Sequence, residues 1–265
     1  MAHTRSSHGQ TEMAFRTRGG RRRGAGRPPR GPRPSEPHKV RPAHDRRHPV
    51  HVTIRVVADV SSLRQRDMYM QLREATIVTA RREDFRIAHL SIQRNHLHLL
   101  VEADHEQALS RGVQGFSISA AKRVNAAITT RTGVRRTGKV IADRFHARPL
   151  TSPRAVRHAL AYILLNFRRH GEDRVGVART WKADPFSSGP LFFGWQELAH
   201  SPVLWPLRET YHPLIVLRPR TWLLARGWQE HHPLISVHEV PGPGVGVRVA
   251  PDASRSRPVR SARAC

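Results

Sequence analysis

An α+β fold follows from three features of the sequence. Apolar and polar residues alternate from His51 to Val57, again from Phe85, and again from His96 to Glu102, the period of two that marks half-buried strands. Two longer stretches, 62–82 and 106–132, repeat apolar residues at helical spacing. These segments fall in the order β-α-β-β-α-β, with one more helix behind them.

Each element has its own grounds. In the first strand Val52, Ile54 and Val56 alternate with His51, Thr53 and Arg55. Ser61-Ser62 offers an N-cap, and the helix over 62–82 carries Leu63, Met68, Leu72, Ala75 and Val78. The second strand runs from Phe85 to Gln93, with Phe85, Ile87 and His89 on one face. Arg94-Asn95 supplies a tight turn, since Asn tolerates positive φ, and the third strand returns antiparallel through His96–Glu102. The second helix repeats Leu109, Val113, Phe116, Ala120 and Val124 and stops at Thr132-Gly133. A fourth strand is expected over 140–150. Ser152-Pro153 then pairs an N-cap with a proline at the first helical position, opening a helix that runs to Gly171. The order predicts the ferredoxin-like split βαβ core, a four-stranded antiparallel sheet with helices on one face, plus a C-terminal helix.

Composition bounds the rest. Of 265 residues, 46 are Lys or Arg and 20 Asp or Glu, a formal charge of +26, and this favours polyanions: nucleic acid or an anionic membrane surface. No apolar run approaches the roughly 18 residues that span a bilayer. There is no apolar stretch of a secretory signal after the first charges, and the single cysteine, Cys265, excludes an internal disulfide framework. The expected setting is cytoplasmic and nucleoid-associated, with no membrane partner. Four regions are expected: a disordered basic arm over 1–47, a catalytic domain over 48–172, a small Trp- and Pro-rich extension over 173–240, and a disordered basic tail over 241–265.

Two local patterns carry chemistry. His96 and His98 stand two apart on a strand, which puts both imidazoles on one face and Leu97, Leu99 and Val101 on the other. Such a pair makes half of a metal site if a third ligand arrives from elsewhere. In the helix after Ser152, the apolar stripe is Val156, Leu160, Ile163 and Phe167, and Tyr162 and Asn166 share a face at its flank, roughly 100–140° round. A phenol with a pKa of about 10 is a poor nucleophile unless its target is polarised. Glu102 shares the face of the histidines but lies four residues from His98, about 13 Å along a strand, too far to share a metal ion without a bulge.

The run Asn95-His-Leu-His-Leu-Leu-Val-Glu102 resembles the N-H-h-H-L-L-h-E strand (h, hydrophobic) of the single-tyrosine HUH transposases. Three further segments follow in the order of that family's REP-associated branch: Leu109–Gln114, Gly138 through Phe145, and Tyr162–Arg168. The resemblance covers roughly residues 48–172 and implies the same split βαβ core. It implies that His96 and His98 are metal ligands, that Asn166 is the third, and that Tyr162 is the nucleophile. It also implies magnesium or manganese as cofactor and single-stranded or hairpin DNA as partner, cleaved through a 5′-phosphotyrosine intermediate that leaves a 3′-hydroxyl for rejoining. Relatives include monomers and homodimers. Two positions depart from the family pattern: Phe167 follows Asn166 and Arg94 precedes Asn95, where the family usually has proline. Arg55, Arg94, Arg123, Arg144, Arg148, Arg168 and Arg169 are the candidate phosphate contacts around this core. The alternative is a domesticated protein that keeps the fold and binds single-stranded or structured nucleic acid without cutting it.

Overall fold

The computed structural model describes residues 43–174, 176–201, 207 and 209–242. Most of the expected basic arm and tail, and Trp205, lie outside the described residues. Strands β1 (Val50–Arg55), β2 (Phe85–Ile92), β3 (His96–Ala103) and β4 (His146–Pro149) form one sheet in the order β2-β3-β1-β4, every neighbouring pair antiparallel. Helices α1 (Arg66–Thr79) and α2 (Glu106–Thr132) cover one face. Helix α3 (Pro153–Arg169) packs on the other.

The two faces are sorted by the strand period. Val50, Val52 and Ile54 of β1 and Leu97, Leu99 and Val101 of β3 join Met68 and Leu72 of α1 and Leu109, Val113 and Phe116 of α2 in the first core. Leu100 points the other way, against Val156, Leu160, Ile163 and Phe167 of α3. Gly112 lets α2 approach β2: a Cβ there would stand 2.2 Å from the Phe85 ring. Gly133 ends α2 in the left-handed conformation at φ 70°, and Ser152 caps α3 by accepting from the Ala155 N–H at 3.2 Å.

Two expected boundaries and one face assignment move. Helix α1 begins at Arg66, not at 62, because the backbone before it is already engaged: Leu63 donates its N–H to the Arg94 carbonyl, and the Arg64 guanidinium turns inward onto Asp184. The expected fourth strand narrows to His146–Pro149, preceded by an isolated bridge between Val56 and Ile141. Between them the Asp143 carboxylate takes the Arg144 N–H, a local bond that competes with the ladder. In β2 a bulge separates Ile87 from His89, so His89 and Ser91 face α3 while Leu90 and Ile92 stay with Phe85. His89 therefore does not share the face of Phe85 and Ile87.

The chain beyond α3 folds back over it. Trp195, Trp228, Ile235 and Val237 are buried in the same core as Leu160 and Leu164, so α3 has apolar contacts on the side away from the sheet as well. Polar ties fix this layer. Arg64 makes two hydrogen bonds to the buried Asp184, at 2.9 and 2.8 Å, with Phe186 beneath its guanidinium. Glu102 accepts from the N–H groups of Arg220 and Thr221 and from the Thr221 hydroxyl at 2.7–2.9 Å. The sequence puts Glu102 on the histidines' face but too far along the strand to join them, and the structure uses both its oxygens to anchor the segment before the π-helical turn Leu223–Gly227.

Candidate active site

The site lies on the face of the sheet that α3 covers. Antiparallel pairing sets His98 beside Thr53 of β1 and Ser91 of β2, and His96 beside Arg55. The two imidazoles meet with their Nε2 atoms 3.0 Å apart. Their other nitrogens are also held. His96 Nδ1 lies 2.7 Å from the Asn95 Oδ1, an acceptor, so that nitrogen carries the hydrogen and leaves Nε2 with its lone pair free. His98 Nδ1 lies 3.1 Å from His51 Nε2 and 3.2 Å from the Thr53 hydroxyl, both able to accept or donate. If His98 also places its hydrogen on Nδ1, two lone pairs face each other across 3.0 Å, a repulsive arrangement that a cation relieves.

Burial keeps these rings neutral. It holds His96 and His51 down to about 4, helped by His170 and Arg55 beside His96 and by His146 and Arg148 beside His51. His98 is pushed well below the ordinary histidine range by burial and by the neighbouring rings. Neutral imidazole is the ligating form, so the pair is ready to donate at neutral pH.

Tyr162 comes from α3, half-buried, with its ring edge-on to His98 at 5.1 Å between centroids and 6.0 Å from His51. Burial raises its pKa, against the charge of Arg169, so the phenol holds its proton at neutral pH. One turn on, Asn166 is completely buried, deeper than the flank position its helical phase predicts. Neither Oδ1 nor Nδ2 of this amide makes a hydrogen bond of ordinary geometry, although the amide is near enough to the Tyr162 phenol to hold its pKa down slightly. An unpaired buried amide costs about 1–3 kcal/mol, and so marks a place where something else satisfies it.

Among the described residues no group of three His, Cys, Asp or Glu side chains converges as a metal site. The ligands expected from the sequence are of a different kind: the imidazoles of His96 and His98, which meet, and the buried amide of Asn166, one turn beyond Tyr162 on α3.

The candidate arginines divide. Arg55 and Arg148 lie on the histidine face, and Arg169 at the end of α3 bears on Tyr162. Arg94 is exposed at the hairpin turn and pairs with Glu172 at 2.5 Å. Arg144 precedes β4. Arg168 is committed to structure, donating to the Val237 and Lys182 carbonyls and to Asp173. Arg123 sits on α2, in the layer behind the sheet. His51 and Thr53, which hold His98, were not read as site residues from the sequence. Their alternation with Val52 and Ile54 gives their face, but only the β1–β3 register puts them against His98.

No curated protein is similar enough to count as a relative. A solved structure described as a REP-associated tyrosine transposase bound to a REP hairpin is similar at 19% identity and a TM-score of 0.44, over 68% of this chain and 99% of that one. The family model described as IS200-like transposase matches residues 46–163, from just before β1 to the residue after Tyr162. Residues 46–163, which hold the sheet, α1, α2 and the Tyr162 turn of α3, are thus similar to the IS200-like transposase family.

Proposed function

We propose that this protein cuts and rejoins single-stranded or hairpin DNA, with Tyr162 as the nucleophile. The observation that carries this reading is the packing of the Tyr162 ring against His98, whose Nε2 meets that of His96. The Tyr162 oxygen attacks a backbone phosphorus in line with the departing 3′-oxygen. The phenolic proton passes to solvent, a 5′-phosphotyrosine bond forms, and the strand's 3′-oxygen leaves and takes up a proton. Because the phosphodiester energy is kept in that bond, a 3′-hydroxyl can reverse the step and join strands without a nucleotide cofactor. His96, His98 and Asn166 would hold a magnesium or manganese ion, which polarises a phosphate when bound. The remaining work falls to the protein: Asn95, His51 and Thr53 fix the two imidazoles, and Arg55, Arg148 and Arg169 supply positive charge around the strand.

Incubating the protein with Mn²⁺ and a hairpin carrying a single-stranded extension is expected to give an SDS-resistant adduct that Tyr162→Phe abolishes. An adduct that survives the substitution overturns the role of Tyr162. The alternative is a binding protein that keeps the fold and no longer cuts. DNA binding with no adduct at any metal concentration would select it.

A further inference from the structure

Away from the histidines, a cleft of about 420 Å³ opens where the loop after α1 meets the segment before Thr221. That size falls in the roughly 300–1,000 Å³ range of sites that take small organic groups. Arg81, Arg82, Arg86, Arg218 and Arg220 line it, against a single acid, Glu83. So many guanidiniums around one opening repel one another and need a reason.

The cations here are short of acceptors. Arg86 is 8% exposed, yet its nearest acceptors are Glu102 at 3.6 Å and the Arg218 carbonyl at 3.5 Å, both at or beyond the limit of a hydrogen bond. Glu102 has little left to give, since its oxygens already take three donors from Arg220 and Thr221. Burial and the neighbouring Arg220 disfavour the Arg86 charge, but a guanidinium stays protonated in water-accessible proteins. Arg82 spends one nitrogen on Asp84 at 2.8 Å, while its Nε is buried without an acceptor. A cleft with surplus charge and unspent planar donors fits an anion with several oxygens, and a phosphate most naturally.

We infer that this cleft holds a backbone phosphate of the DNA on which the site acts, a second grip remote from Tyr162. Arg86 pairs with Glu102 in the β2–β3 ladder, on the face that carries His98. Glu102 stands four residues along β3 from His98, about 13 Å, a span that a duplex strand covers in about four base steps at 3.4 Å each. Because α3 covers Leu100 between these two points, the DNA reaches the cleft over the surface of the protein and not along this face. The inference rests on the DNA-cutting reading, and none of the five arginines was among the candidates from sequence.

The test uses the full chain with Arg81→Gln and Arg218→Gln combined, since both side chains are exposed and their loss leaves the core intact. Affinity for the extended hairpin is measured by fluorescence anisotropy over a range of salt. The double variant is expected to bind about tenfold more weakly at low salt, with the slope of log K against log salt reduced by about one. Adduct yield at saturating DNA stays at the wild-type level. Unchanged affinity and slope overturn the inference. So does a rise in wild-type melting temperature with inorganic phosphate that the variant lacks, if DNA affinity is the same in both, because the cleft then serves a small anion. A wild-type protein that binds no DNA fells the parent reading as well, whereas loss of the Tyr162 assignment alone leaves the cleft result standing.

Discussion

Asn166 is the residue whose surroundings make least sense without a partner. Two polar atoms of a fully buried amide make no hydrogen bond of ordinary geometry, with only the Tyr162 phenol near, although a leucine of similar shape would suit the neighbouring Ile163 and Phe167 better. Asn166→Leu is therefore expected to raise stability by about 1–3 kcal/mol in EDTA, measured by urea unfolding. The same variant should lose whatever stabilisation Mn²⁺ gives the wild type. A variant less stable than wild type in EDTA, or one that keeps the metal effect, would show that the amide serves packing and not a ligand. The sequence exposed Tyr162 and Asn166 as a pair four apart, but it placed both at a flank. A helical wheel with one apolar stripe assumes one buried side, and α3 has two.

At the scale of elements, the alternation rule found three of the four strands and misread one half of β2. Phe85 and Ile87 keep the period, and the bulge at Ala88 then resets it. A bulge leaves no mark in a run where every residue is buried, as every residue of β2 is. The start of α1 was misread for a related reason: Ser61-Ser62 has the chemistry of a cap, yet Leu63 and Arg64 are drawn off by the β2–β3 turn and by Asp184, more than a hundred residues away. Local propensity loses to distant contacts in such places. Contact between α2 and β2 is equally specific. Gly112→Ala would set a Cβ 2.2 Å from the Phe85 ring, in a core with no room to move, and is expected to cost about 1–3 kcal/mol by overpacking. Gly115, on the same helix with nothing within 4 Å, is the control: alanine there should be stabilising by about 1 kcal/mol. Equal effects at the two positions, read from thermal or urea unfolding, would contradict this account of how α2 is seated.

For the molecule as a whole, the layer behind α3 couples stability to pH. His89 of β2 is enclosed against Phe192 and lies 3.2 Å from the Ser188 hydroxyl, and burial holds its imidazole down to about 4. In the unfolded chain it titrates near 6.5. As pH falls the unfolded state takes up this proton first. Its contribution is thus whole above about pH 6.5 and is lost progressively toward pH 4, by up to about 3 kcal/mol. His89→Gln is expected to flatten the fall of urea-derived stability between pH 7 and 4.5. An unchanged slope would place the acid sensitivity elsewhere. How the residues after α3 would pack was not legible in the sequence, because Trp195 and Trp228 lack the periodicity of a strand or long helix; they fold as short turns shaped by what they cover.

That cover has a consequence for how many chains a cutting event needs. Tyr162 reaches the histidines of its own polypeptide, and α3 is sandwiched between the sheet and the Trp195–Trp228 layer. Handing α3 to a second copy would tear open that entire apolar sandwich. On the proposed reading, Tyr162 and the histidines it faces come from one polypeptide, and adduct formed per molecule is expected to stay constant as the protein is diluted.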